Sequence, residues 1–372
     1  MAERTIRDAV HGDITLTDRE IEVLDTPQVQ RLRGIRQLGA AHYVYPGAQH
    51  SRFEHGLGTA WMAKRILDAL AVHAGIHTPP GHRAAVVLAG LVHDVTHIPF
   101  GHTFEDERRL LERHDTSRER YERLLVNSEL GDVLRRDEPG RLALRLLEPG
   151  GELPDDLRYL RHIISGTICA DLLDYLKRDN YYCGLNYEFD DRLFRYFQVA
   201  DGGLSLTMAK GGLFRHDALS EVTNLLRIRY VLSERVYYHH AKIAAGVMIS
   251  QAVQRALSAG LSEADLCRLT DDGLLDHLAR MDAGPALADL VDKYRARRLY
   301  KRCYMVCRDI GEHNVERLVD AHHFNRNGLR DRAERAIAEA AGAKPHQVAV
   351  YCAPEGMALK EADVPVMLPG GE

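Results

Sequence analysis

Two imidazoles and two carboxylates are the side chains of this sequence best suited to hold a metal ion. They are His55 in SRFEHGLG, the neighbours His93 and Asp94 in LAGLVHDVTHIPFGH, and Asp171 in CADLLDYLKRD. Each lies in a stretch with the pattern of a buried helix, where a carboxylate is costly unless it is paired or bound to a metal. Such nitrogen and oxygen ligands suit a divalent transition metal or magnesium. Such an ion, with further histidine and arginine side chains around it, forms a site that can hydrolyse a phosphate ester.

The apolar pattern around these residues predicts the helices that position them. Apolar residues at helical spacing predict a helix over residues 52–74, and the Pro-Pro-Gly at 79–81 breaks the chain after it. The nearly all-apolar segment 83–95 predicts a central buried helix with His93 and Asp94 at its C-terminal end. The proline and glycine of HIPFGH stop that helix.

The rest of the chain predicts a mainly α protein with a short β-hairpin and a small C-terminal α+β lobe. Further helices are predicted over residues 104–130, 153–182 and 215–259. The segment RYFQVADGGLSLTM predicts the hairpin, with DGG as its turn. YKRCYMVCRD, HQVAVYCAPE and VPVMLPG predict short strands around a helical segment, RDRAERAIAEAAGA. We therefore expect a core over 1–290 and a lobe over 291–372.

The composition is that of a soluble globular protein. Of 372 residues, 28% are charged and 45% are hydrophobic, and the net charge of −5 argues against non-specific nucleic-acid binding. The apolar run 84–92 is far too short to cross a bilayer, so no membrane association is expected. The N-terminal segment lacks an apolar signal-peptide core, and six cysteines in so long a chain are typical of reduced thiols. These features predict a cytoplasmic protein.

Several separated segments resemble the HD-domain phosphohydrolases, and within them the deoxynucleoside triphosphate triphosphohydrolase branch. The segments are DAVHGDITL, LDTPQVQRLRGIRQLGAAHYVYPGAQHSRFEHGLG, LAGLVHDVTHIPFGHTFE and DLLDYLKRDNYYCG, in the family's order. The resemblance implies a helical HD core and cleavage of deoxynucleoside triphosphates to a deoxynucleoside and inorganic triphosphate. It also implies a homo-oligomer, dimer or tetramer, and a divalent metal ion: manganese, magnesium, iron, cobalt, nickel or zinc.

Carried over position by position, the resemblance makes His55, His93, Asp94 and Asp171 the metal ligands. Arg52, just before FEH, matches the arginine that contacts the α-phosphate. A bidentate guanidinium suits that task, although a structural salt bridge is the alternative for Arg52.

The family's active-site histidines and acid match residues that follow the His-Asp doublet. His97 and His102 match the histidines, and Glu105 and His114 match an acid–histidine pair. In that pair, the carboxylate would orient an imidazole that protonates the leaving oxygen. The alternative for Glu105 is a solvated position on a charged helix.

Residues of later helices match the family's contacts to the sugar and to the phosphate tail of the substrate. Tyr175 and Asp179, four apart on one helix face, match contacts to the sugar and its 3′-hydroxyl. Arg229 matches a phosphate-binding arginine, and Tyr237 matches the tyrosine that closes against the 2′ position. The alternatives are a structural salt bridge for Arg229 and core packing for both tyrosines. Residues matching the lining of the pocket near the sugar are Gln37 and Leu38.

Three positions near the predicted active site depart from the family pattern. Leu172 stands where the vertebrate members carry a lysine, which removes one cation from the triphosphate tail. Glu105 replaces an aspartate, and Thr96 replaces a glycine. Leu172 therefore favours an alternative substrate: a nucleoside monophosphate, a modified nucleotide or a nucleic-acid end. A non-catalytic protein that binds nucleotides or nucleic acid is the third alternative, against which the intact ligand quartet argues.

The N-terminal segment DTPQVQRLR matches a regulatory site of the family. Asp25, Gln30 and Arg33 match residues that read guanine at an allosteric site between subunits. Arg4 and Arg7 depart from that site's pattern. The alternative is that this segment only packs the first helix.

Overall fold

The computed structural model describes residues 3–306, 310–353 and 364–369, and over these the chain is mainly helical. It begins with a hairpin of strands β1 (Glu3–Asp8) and β2 (Gly12–Thr17), which pair antiparallel. The mainly α fold predicted from the sequence is confirmed. No helix within the described ranges is long and apolar enough to cross a membrane.

Helices of the N-terminal half surround α3 and α4. In chain order the helices are α1 Asp18–Leu24, α2 Pro27–Gln30, α3 Arg52–Ala74, α4 Pro80–Val92, α5 Arg118–Tyr121, α6 Glu129–Leu134, α7 Glu138–Leu147, α8 Asp155–Ser165 and α9 Ala170–Tyr182. Helix α3 packs against both α4 and α9, and α4 also packs against α7. The core that results places the ends of α3, α4 and α9 beside one another.

Local sequence signals fix where α3 and α4 begin and end. Ser51 and Glu54 form a capping box at the start of α3, and Gly75 ends it in the left-handed conformation at φ 69°. Helix α4 begins at Pro80, earlier than predicted, because proline is well tolerated in the first helical turn. It ends at Val92, so His93 and Asp94 lie in the turn that follows rather than within the helix.

The helices predicted over 104–130 and 153–182 are interrupted. The first region contains single π-helical turns at Thr103–Glu107 and Glu122–Val126 besides α5 and α6. The second breaks between α8 and α9, where Cys169 caps the new helix. This break places Asp171 in the first turn of α9, where the helix dipole favours a negative charge.

The middle of the chain contains the predicted hairpin and a broken long helix. The elements are β3 Phe197–Ala200, β4 Gly203–Thr207, β5 Ala209–Lys210, β6 Leu213–Phe214, α10 His216–Leu232, α11 His240–Ser258, α12 Glu263–Leu266, α13 Asp271–Arg280 and α14 Pro285–Arg295. The β3–β4 hairpin is confirmed. The single helix predicted over 215–259 is wrong, because a π-helical turn at Ser233–Tyr237 separates α10 from α11.

The C-terminal region is largely helical and irregular. It contains α15 (Glu312–Leu318), α16 (Leu329–Ala340) and β7 (Val366–Met367), which pairs parallel with β4. The described parts of YKRCYMVCRD and HQVAVYCAPE are not strands, so those two predictions are wrong there. The remainder of both segments lies outside the described residues. The division at 290/291 stays a prediction, and α14 runs across it.

Candidate active site

Three of the four predicted metal ligands converge where α3, α4 and α9 meet. The ligand atoms of His55, His93 and Asp171 lie within 4.8 Å of one another, and we call this set the ligand cluster. His55 Nε2 lies 2.9 Å from Asp171 Oδ1, and His93 Nε2 lies 3.8 Å from the same oxygen. The fold thus brings these three distant residues together, and their role as metal ligands stays a prediction.

Both histidines of the ligand cluster are held so that Nε2 faces the cluster. His55 Nδ1 donates to Asp174 Oδ2 at 2.7 Å, and His93 Nδ1 donates to the Gly90 carbonyl at 2.8 Å. His93 Nε2 is buried and has no hydrogen-bond partner among the described residues. Two imidazoles oriented through Nδ1 and a carboxylate beside their Nε2 atoms fit a divalent metal ion.

Asp174, which orients His55, was not predicted from the sequence. It is fully buried and also accepts hydrogen bonds from His11 Nε2 at 2.6 Å and from Arg178. Arg178 in turn pairs with Asp8 at 2.9 Å. The available signal is the spacing of Asp171, Asp174 and Arg178, which puts all three on one face of α9.

A glycine of α3 makes room for this buried carboxylate. A Cβ at Gly58 would lie 1.8 Å from Asp174 Oδ1 and 2.4 Å from Arg178 Nη2. The second glycine of the HGLG segment is therefore required by the close approach of α9 to α3.

Asp94, the fourth predicted ligand, lies at the edge of the ligand cluster. Its Oδ2 is 3.8 Å from His55 Nε2, and its Oδ1 is 3.5 Å from His93 Nε2. Arg52 Nη1 donates to Asp94 Oδ2 at 2.6 Å. The salt bridge that the sequence analysis gave as the alternative role of Arg52 is therefore present. That salt bridge lies inside the candidate site and leaves Arg52 Nε without a partner among the described residues.

Three more histidines form a second group that also borders Asp94. The ring nitrogens of His97, His102 and His114 lie within 4.8 Å of one another, and we call this set the imidazole cluster. The rings of His97 and His114 stack with centroids 3.5 Å apart. His97 Nε2 lies 3.3 Å from Asp94 Oδ1, so one carboxylate borders both clusters.

Glu105 backs the imidazole cluster. Its Oε2 lies 3.1 Å from His114 Nδ1 and 3.3 Å from His102 Nδ1. Glu105 is 2% exposed, so the alternative of a solvated position on a charged helix is excluded. Its other oxygen accepts a hydrogen bond from buried Arg120, a residue that the sequence analysis did not single out.

Burial and these contacts determine the charges. Burial and the nearby Arg52 lower the pKa of His97 well below its ordinary value, and burial lowers the pKa of His114. Burial alone would raise the pKa of Glu105, but its close contacts with the imidazoles of His102 and His114 more than offset this and hold the pKa below its ordinary value. The imidazole cluster thus combines an ionised carboxylate with two rings, those of His97 and His114, that hold a bound proton weakly.

The residues matched to the sugar form a third group. Tyr237 donates a hydrogen bond to Asp179 Oδ2 at 2.7 Å, and the ring of Tyr175 meets that of Tyr237 edge to face. Asp179 Oδ1 lies 2.8 Å from His50 Nε2, a buried partner that the sequence analysis missed. The hydroxyl of Tyr237 is thus satisfied locally, and its ring is only partly buried.

The remaining matched positions surround these groups. Arg229 is partly exposed. Burial raises the pKa of the Tyr175 hydroxyl, and the nearby positive charge of Arg229 opposes this rise. The Gln37 carbonyl faces Arg52 Nη2 at 3.5 Å, and the Leu38 side chain packs against the core. Leu172 is buried, so it belongs to the core.

The three residues matched to an allosteric site lie together near α2. Gln30 Oε1 accepts a hydrogen bond from Arg33 Nε at 2.8 Å, and Gln30 also donates to the Leu24 carbonyl. The Arg33 guanidinium stacks over Phe53, 3.6 Å from the ring centroid, and Asp25 is exposed. These contacts agree with the packing alternative, and an allosteric role stays a prediction.

Comparison with known proteins matches both halves of the chain. An HD domain matches residues 52–179, and an HD-associated region matches residues 191–370. The HD match contains every residue of the ligand cluster and of the imidazole cluster.

Similar proteins occur in an archaeon and in a vertebrate. An uncharacterised protein of Methanocaldococcus jannaschii is 31% identical over 278 residues, 74% of this chain and 55% of that protein. Deoxynucleoside triphosphate triphosphohydrolase SAMHD1 of Gallus gallus is 28% identical over 349 residues, 80% of this chain and 55% of that protein. The chain thus spans about half the length of these curated relatives.

A solved structure shows the same fold. The crystal structure of a hypothetical protein from Aquifex aeolicus has a TM-score of 0.67 and 27% identity, and the match covers 81% of this chain and 77% of that one. Together with the two domain matches and the His-Asp doublet at the ligand cluster, this likeness establishes that the chain belongs to the HD-domain phosphohydrolase superfamily.

Proposed function

We propose that this chain is a metal-dependent phosphohydrolase that cleaves deoxynucleoside triphosphates to a deoxynucleoside and inorganic triphosphate. The observation that carries the proposal is that Asp94 borders both clusters, 3.5 Å from His93 Nε2 and 3.3 Å from His97 Nε2. Phosphate-ester hydrolysis needs charge stabilisation at phosphorus and a proton for the leaving oxygen. The two clusters provide neighbouring places for these two tasks.

The metal ion would be held by His55, His93, Asp171 and Asp94. When bound, it supplies Lewis-acid polarisation of the phosphoryl oxygen and lowers the pKa of water. Its identity is not assigned by the ligand set, because manganese, magnesium, iron, cobalt, nickel and zinc all accept histidine or carboxylate ligands.

The side chains would divide the remaining work. Arg52 would contact the α-phosphate, and His114, oriented by Glu105 at Nδ1 and protonated at Nε2, would donate the Nε2 proton to the sugar O5′. Water would add to the α-phosphorus as the bond from phosphorus to O5′ breaks, and the proton that the water loses would replace the one given up by His114. The products would be the deoxynucleoside and triphosphate. Asp179, Tyr175 and Tyr237 would hold the sugar, with Tyr237 against C2′.

The most specific part of the proposal is that the substrate carries a triphosphate tail. The SAMHD1 relatives are named as triphosphohydrolases, and Arg229 is the matched cation for the tail. Lys242 lies on the next helix, but its Nζ donates to buried Glu107 at 2.7 Å, so its charge is already compensated. Arg229 therefore must offset most of the tail's charge together with the ion.

A second candidate substrate is another phosphate ester, such as a nucleoside monophosphate. The observation that favours it is Leu172, 4% exposed, which supplies no cation at a position where vertebrate relatives carry one. A shorter phosphate chain would need less compensation.

Product analysis by chromatography tests both candidates. Deoxynucleoside triphosphates, ribonucleoside triphosphates and monophosphates are incubated with the protein, with and without added manganese. We expect inorganic triphosphate from the deoxynucleoside triphosphates. Release of phosphate from monophosphates alone would favour the second candidate, and no turnover with any substrate or metal would leave only a binding function.

The role of Arg229 is tested by comparing dGTP with dGMP. Arg229→Ala should raise KM for dGTP about 10- to 100-fold, since a charge-assisted hydrogen bond contributes about 1.5–3 kcal/mol. KM for dGMP should change little. The matched control is Arg227→Ala, an exposed arginine on the same helix. Equal effects of the two substitutions on dGTP would contradict the assignment of Arg229.

A further inference from the structure

Arg120 is a buried cation directly behind the imidazole cluster. It lies on α5, is fully buried, and its backbone N–H donates to the capping residue Ser117. Its guanidinium Nη1 donates to Glu105 Oε1 at 2.6 Å, and Nε donates to Glu263 Oε1 at 2.6 Å. The third nitrogen, Nη2, donates to the Glu112 carbonyl. All three nitrogens therefore have acceptors, so the guanidinium is fixed on every side.

Glu105 is the link between Arg120 and the histidines. One carboxylate oxygen accepts from Arg120, and the other lies within hydrogen-bond distance of Nδ1 of both His102 and His114. A carboxylate held in this way is an acceptor for Nδ1–H. The ring it accepts from then has its Nε2 free to take up a proton and pass it on to the leaving oxygen.

We propose that Arg120 is a positioning residue that, through Glu105, fixes the tautomer and orientation of His114 for proton transfer to the leaving oxygen. The inference rests on the proposed phosphohydrolase function, in which the imidazole cluster supplies that proton. None of the three acceptors of the Arg120 guanidinium belongs to the ligand cluster.

The physical reason is the cost of an unbalanced buried carboxylate. Glu105 and Arg120 are both removed from solvent, and removing one partner of such a pair leaves the other charge uncompensated. Without the guanidinium, the Glu105 carboxylate would be free to rotate away or to take the proton of the ring. Either change would remove the acceptor that selects the Nδ1–H tautomer of His114.

Arg120 is the cationic partner of Glu105, because the other charged groups nearby have partners of their own. The neighbouring acid Asp106 pairs with Arg113 at 2.8 Å, and both are half-exposed. His97 stacks on His114 but makes its own carboxylate contact with Asp94. Among the described residues, Arg120 is the arginine that has an ion pair with Glu105.

The test compares Arg120→Gln and Arg120→Lys with a matched control, Glu263→Gln. The control removes the other carboxylate partner of Arg120 but leaves its contact with Glu105. We expect Arg120→Gln to lower kcat about 10- to 100-fold while KM and bound metal stay within about twofold. Arg120→Lys should recover part of kcat, and Glu263→Gln should leave kcat within about threefold of the unmodified chain.

Non-additivity separates positioning from a general loss of structure. Arg120→Gln combined with Glu105→Gln should lower kcat no further than Glu105→Gln alone, because both act through one contact. A fully additive loss, or an equal fall in kcat for Glu263→Gln, would overturn the proposal.

A measurement on the unmodified chain keeps the proposal testable if Arg120→Gln does not fold. Nitrogen-15 NMR of the histidine rings, assigned with His114→Gln, should show His114 with its proton on Nδ1. The opposite tautomer would overturn the proposal. An unmodified chain that hydrolyses none of the substrates overturns the proposed function as well, whereas an active chain with unchanged kcat in Arg120→Gln overturns only the role of Arg120.

Discussion

The ligand cluster and the imidazole cluster each have a histidine backed by a carboxylate that pairs with a buried arginine, but the two clusters differ in their own members. In the ligand cluster, Nδ1 of His55 and of His93 donates to Asp174 and to a main-chain carbonyl, which leaves two Nε2 atoms facing Asp171. In the imidazole cluster, Nδ1 of two rings faces the single carboxylate of Glu105, itself neutralised by Arg120. The ligand cluster therefore includes the Asp171 carboxylate, whereas the imidazole cluster consists of three rings, and this difference distinguishes a seat for a metal ion from a source of protons.

Among substitutions that distinguish the two clusters, a substitution of Asp171 is expected to have the largest effect on metal binding and turnover. Asp171→Ala should abolish both bound metal and turnover, because an open metal site has no spare ligand. Exposed Asp191, which pairs with Arg65 and Lys177, provides the control substitution Asp191→Ala. Metal analysis and a substrate assay check the result, and retained activity in Asp171→Ala would contradict the assignment.

His114→Ala should have the next largest effect, and of a different kind. Loss of a general acid typically lowers the rate on the order of 10²- to 10⁴-fold. Because His114 is outside the ligand cluster, metal content should be unchanged. Steady-state kinetics together with metal analysis would show this separation, and a full rate in His114→Ala would move proton donation to His97 or His102.

Asp174→Asn tests the backing of the ligand cluster. The amide can no longer accept all the hydrogen bonds that His11, His55 and Arg178 direct at the carboxylate. Metal affinity should fall about 10- to 100-fold, the usual cost of losing the carboxylate behind a ligating histidine. Metal titration with a competing chelator measures the affinity. An unchanged affinity would mean that His55 does not depend on Asp174.

The smallest effect is expected at the sugar, outside both clusters. Tyr237→Ala should raise ribonucleotide turnover relative to deoxyribonucleotide turnover by about 10-fold, because the ring would no longer exclude a 2′-hydroxyl. Tyr230→Ala, at an exposed position of α10, is the control. If the ratio of kcat/KM values does not change, Tyr237 has a structural role only.

The ligand cluster could be predicted from sequence because its residues stand in buried helical stretches and in recognisable motifs. Asp174 and His11 could not, since they are 163 positions apart and meet only through the packing of α3, α9 and the N-terminal hairpin. Arg120 was missed for a related reason. It stands in the charged segment RERYER, where composition indicates a solvated helix, and only the tertiary fold buries it.

The errors in the fold prediction have local physical causes. The long helix over 215–259 has continuous helical periodicity, but the π-helical turn at Ser233–Tyr237 shifts its register beside Tyr237. The segment 300–306 has the aromatic and β-branched residues of a strand. A strand also needs a partner, and the described residues provide none for it.

Metal stoichiometry in three proteins tests the central claim that only one of the clusters is a metal site. The unmodified chain, His114→Ala and Asp171→Ala are loaded with manganese, desalted and analysed by mass spectrometry, with circular dichroism to confirm folding. We predict one equivalent of metal in the first two proteins and almost none in Asp171→Ala. Two equivalents in the unmodified chain, or a loss of metal in His114→Ala equal to that in Asp171→Ala, would contradict the account.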